Sequence, residues 1–246
     1  MKTLLDERYA PITSAMGFIE APLDRVWRAL AGWRRQLRID TETEELDEPF
    51  PQALRRLEPL TTHAHPRELV IETSPSWTLY VSNSLRGTDP APVAVLAEFL
   101  ACRSVYVVTT PHTADAPGVR EGRFGGLQFR LFGPRPNPIL NHVRSIDLIY
   151  DGDRWVFDIA GEPQPFEHPD RYKARRLRDR FTSEMLEEYC RALGIEVFDP
   201  SFYGSRAVLV RTAVDLPPAA LSLSLEEAQA WLEITPGQQA PAVMPA

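Results

Sequence analysis

RSIDLIYDGDRWVFDIAG, residues 144–161, decides the fold class. Ile146, Leu148 and Tyr150 alternate along its first arm, and Trp155, Phe157 and Ile159 along its second. A period of two puts each set on one face of a strand. Between the arms, Asp151-Gly152 supplies the positive backbone angles that a tight hairpin turn requires. The stretch is therefore predicted to be an antiparallel hairpin.

The same alternation extends outward. RELVIET (67–73), SWTLYVSN (76–83), RSVYVVTT (103–110) and LQFRLF (127–132) read as strands before the hairpin, and RAVLVRTAV (206–214) as one after it. Helical spacing replaces it elsewhere. Leu23, Val26, Trp27, Leu30, Trp33 and Leu37 recur every three or four residues, which makes one apolar stripe. GTDPAPVAVLAEFLA (87–101) starts with Thr88 or Asp89 as a cap. In residues 165–194, Ala174, Leu177, Phe181, Met185, Tyr189 and Leu193 step helically towards Gly194, with Thr182 or Ser183 as a point of division. Ser224 and Glu227 have the spacing of a capping box. The expected fold is α+β: a largely antiparallel sheet of about six strands, covered on one face by helices. A single domain is expected over residues 1–235, with an N-terminal helical extension over about 1–66 and a disordered tail at 236–246.

The chain has 246 residues, with 27 basic against 34 acidic side chains and a net charge of −7. That balance argues against nucleic acid, which needs clustered positive charge. No apolar run is long enough to span a bilayer, so no membrane association is expected. Cys102 and Cys190 lie far apart among apolar neighbours and read as buried thiols of a cytoplasmic protein.

Recognisable catalytic motifs are missing: there is no phosphate-cradling glycine loop, nucleophile elbow, H-E-x-x-H or paired CxxC. His63-Ala64-His65 is the one metal-like spacing, and Pro66 directly after it argues for a loop. No metal and no cofactor are expected. Charge is segregated instead. Asp40, Glu42, Glu44, Glu45, Asp47 and Glu48 form an acidic run that reads as a solvated loop, with Glu44 and Glu45 as candidate contacts for a basic partner. Arg171, Lys173, Arg175, Arg176, Arg178 and Arg180 form a basic run on the expected helix. Between hairpin and helix, Gly161, Pro163, Pro165 and Pro169 stiffen a connection. Here Glu162, Glu167, Tyr172, Arg175 and Arg176 are candidate binding residues.

These features point first to a non-catalytic protein-binding or regulatory protein, a toxin-neutralising immunity-type protein being one form of it. The alternative is an enzyme or small-molecule binder with a cleft between the sheet and a 170–193 helix. A homo-oligomer built on the helix around Trp231 is the third reading.

Overall fold

A computed structural model of the chain describes residues 1–63, 66–73, 76–114, 122–135 and 140–237. In chain order its strands are β1 (Ala15–Ile19), β2 (Thr41–Asp47), β3 (Leu60–Thr61), β4 (Arg67–Thr73), β5 (Thr78–Ser82), β6 (Ser104–Thr110), β7 (Gly126–Phe132), β8 (His142–Tyr150), β9 (Trp155–Gly161), β10 (Tyr203–Thr212) and β11 (Ser222–Leu223). The helices are α1 (Leu23–Gln36), α2 (Phe50–Ala53), α3 (Pro90–Leu100), α4 (Ser183–Ala192) and α5 (Leu225–Trp231).

The hairpin forms in the expected register, with Tyr150 opposite Trp155, Leu148 opposite Phe157 and Ile146 opposite Ile159. It ends a nine-stranded sheet of order β2-β10-β4-β5-β1-β6-β7-β8-β9, in which every ladder is antiparallel. A separate ribbon pairs β11 with β3. The α+β class stands, but the sheet has nine strands and not about six.

Alternation distributes the side chains between two cores. Met16, Phe18, Leu69, Ile71, Leu79, Val81, Val107, Phe129 and Ile146 enter the larger one, under α2, α4 and α5. Ile19, Val70, Tyr80, Tyr106, Val208 and Val210 enter the smaller one, under α1 and α3. Helices thus cover both faces, where one was expected. Strands such as TLYVS, buried at every position, are what a sheet sandwiched between helices requires. Each such aliphatic or aromatic side chain contributes about 1.5–3 kcal/mol by leaving water. At the centre, α3 lies so close to β1 that a Cβ on Gly17 would meet Val93 Cγ2 at 2.3 Å. The smaller core contains no residue of β8 or β9 among the described residues.

Three further expectations change. Residues 1–66 are not a helical extension, because β1 sits in the middle of the sheet and β2 forms one edge. The acidic run is β2 itself, not a loop. The long basic helix does not form: residues 171–173 and 177–179 are separate 3-10 turns, Arg176 is extended, and α4 starts only after Thr182, whose hydroxyl caps Met185 N–H. Most of the expected tail, residues 238–246, lies outside the described residues.

Candidate functional site

β2 has the sequence TETEELD. Its threonines favour extended backbone, and β10 pairs with it along its whole length, from Arg206–Asp47 to Thr212–Thr41. Leu46 is its one buried side chain and anchors it to the larger core. On the same face, Glu44 is gripped by Arg211 and Arg56. The hydrogen bond from Arg211 holds the Glu44 carboxyl below the usual range. On the opposite face, Asp47 accepts a hydrogen bond from Ser205 Oγ at 2.6 Å. Glu42 and Glu45 are exposed and have no ion pair among the described residues. The two predicted contacts therefore differ: Glu44 is engaged internally, while Glu45 is free. The outer side of β2 pairs with no other strand of the sheet. Such an edge is a template for another strand, and charges on it select against indiscriminate pairing.

The stiff connection after β9 gathers two of its candidates. Glu167 accepts from Arg144 Nε at 2.9 Å and Nη2 at 2.7 Å, from Gln164 N–H at 2.7 Å and from Tyr172 Oη at 2.9 Å. Tyr172 also meets Tyr189 Oη at 3.0 Å, and its hydroxyl is raised above the ordinary range by burial and by that bond. With four donors on one carboxylate, no lone pair is left for a substrate. Glu162, Arg175 and Arg176 lie at the surface. A shallow cleft of about 610 Å³ does lie beside β9, but Tyr172 is the only one of the five in its lining, which otherwise includes Phe157, Ile159, Lys173 and Arg180.

Two more buried carboxylates follow the same rule. Glu68 takes both Arg34 Nε (2.9 Å) and Nη2 (2.5 Å), plus Tyr80 Oη at 2.6 Å. Glu7 takes Arg123 at 2.6 and 3.2 Å. Sequence reasoning missed both pairs. Glu68 sat in an apolar strand whose two faces were both headed for burial, and that was the available signal. Burial pushes the Cys102 thiol up to about 11 and raises Cys190 as well, which suits neither to nucleophilic attack. No His, Cys, Asp and Glu cluster that could hold a metal occurs among the described residues. His65 of the His63–His65 spacing lies outside them. No helix among them is long and apolar enough to cross a membrane.

Comparison with family models, with curated proteins and with solved structures returned no match.

Proposed function

We propose that the chain is a non-catalytic protein-binding protein that docks a basic partner along the free acidic edge of β2. One observation carries this: seven residues of main chain lie at a sheet edge with Glu42 on one face and Glu45 on the other, neither in an ion pair among the described residues. A strand added there would satisfy the outer N–H and C=O groups of β2. Lysine or arginine side chains on it would meet the two carboxylates. The internal pairing of Glu7, Glu68 and Glu167 favours binding over catalysis, because a general acid or base must present its oxygen to a substrate. Two free cysteines fit a reducing cytoplasm. In its narrower form, the partner is a toxin that the chain neutralises.

Pull-downs from the host with wild-type protein and with a Glu42→Lys/Glu45→Lys variant test the proposal. The expected result is a basic protein retained by the wild type at low salt, released at high salt and not held by the variant. That protein, once purified, should bind the wild type directly, and in the toxin case co-expression should restore growth. Equal retention by both baits, or retention of no basic protein, would rule the reading out.

A further inference from the structure

On the α1/α3 face, beyond the end of α3, a trough of about 550 Å³ opens near the ends of β1, β6, β7 and β8. Its size suits one small organic molecule. Tyr106, Phe124 and Trp231 line it, and Phe124 and Trp231 are large rings left 58% and 39% exposed. Tyr106 spends its hydroxyl on Thr88 O at 2.8 Å, so the group it offers the trough is its ring.

The polar groups of the trough are unfinished. Ser14 Oγ and Arg123 Nε both belong to residues at least nine-tenths buried that line it, and neither atom has a hydrogen-bond partner among the described residues. Unsatisfied groups at such depth are costly and rare in folded proteins. Arg86 also lines the trough, exposed, with its guanidinium in no ion pair among the described residues. No carboxylate is in the lining among the described residues, and Glu7 already neutralises Arg123. Among the described residues the lining thus carries one uncompensated positive charge. Arg123 is also held in place expensively. Leu5, Asp6 and Glu7 all have positive φ, at 56°, 49° and 60°, a conformation that side-chain-bearing residues rarely adopt. Backbone strain of this kind gathers at functional sites.

We infer that this trough binds a planar, singly charged aromatic carboxylate. Its rings would lie against Phe124 and Trp231, its carboxylate would meet Arg86, and its oxygens would complete the bonding of Arg123 Nε and Ser14 Oγ. This site is separate from the β2 edge and does not depend on the docking proposal.

Calorimetric titration with naphthoate, indoleacetate and the neutral naphthamide tests the inference. The acids should bind with one-to-one stoichiometry, and naphthamide on the order of tenfold more weakly. Arg86→Ala, at an exposed position that leaves the fold intact, should weaken naphthoate by about the same factor and leave naphthamide unchanged. Trp231→Ala should weaken both. Equal binding of acid and amide, no binding of either acid, or an Arg86→Ala protein that binds naphthoate as the wild type does would overturn it.

Discussion

Glu167 accepts four hydrogen bonds, whereas Asp147, among the described residues, takes only the guanidinium of Arg130, at 3.1 and 3.4 Å. Removing the Glu167 charge strands Arg144, whose side chain is 3% exposed. Glu167→Gln is therefore expected to cost about 3–5 kcal/mol, read as a lower urea midpoint. Asp147 behaves oppositely. Burial raises its carboxyl above the ordinary value despite Arg130, so the folded state holds that proton more tightly than the unfolded chain does. Its contribution to stability is complete in acid and is lost as pH rises through the folded value. Asp147→Asn should accordingly keep or raise the midpoint at neutral pH and change nothing in acid. A loss at neutral pH comparable to that of Glu167→Gln would refute this account. Proline stiffness and mixed polarity put Glu167 and Tyr172 among five candidates, without marking the two as a pair. Arg144, 23 residues away, was not legible as their partner, because only the folded hairpin sets that distance.

Elements backed by two independent signals were read correctly. The 144–161 hairpin had alternation and a turn dipeptide, and α5 had a capping box, whose two reciprocal bonds form. In residues 165–194 the dividing cap at Thr182 forms and Gly194 follows α4 with positive φ, but before that cap there was spacing alone, and the steps of three and four from Ala174 to Phe181 arise from short 3-10 turns instead. β2 was opaque for another reason. Only Leu46 reaches the core, so an edge strand with one buried side chain leaves no alternation to detect. The geometry where β9 ends makes a sharper demand. Gly161 has φ of 81°, and a Cβ there would sit 2.0 Å from Val143 O. Gly161→Ala should lower the melting temperature, by more than about 1 kcal/mol of stability. It should also weaken hydrogen-exchange protection of the Gln164 and His168 amides, which bond to Glu167 and Tyr189. An unchanged melt would contradict the close approach.

At the scale of the molecule, charge is arranged end to end. The acidic edge strand and the basic turns beside β9 lie at opposite ends of nine strands, roughly 38 Å apart at normal strand spacing. Physiological salt screens exposed charges beyond about 8 Å, so neither patch neutralises the other, and the net charge of −7 describes neither. Glu42→Lys/Glu45→Lys should accordingly leave stability within about 0.5 kcal/mol of wild type, as surface changes usually do, while reversing the charge that a partner would meet at that end. A large fall in the melting temperature would instead make those residues part of the scaffold.

The order of strands also has a temporal side. β2 is made long before β10, yet among the described residues β10 is the only strand it pairs with, and Glu44 waits 167 residues for Arg211. A polypeptide still growing on the ribosome therefore carries residues 41–47 without their strand partner until residues 203–212 have been synthesised. A chain ending at Asp199 should show rapid amide exchange throughout 41–47, whatever else of it folds. Translation itself would then act as the timer, withholding the acidic rail from any partner until β10 has emerged.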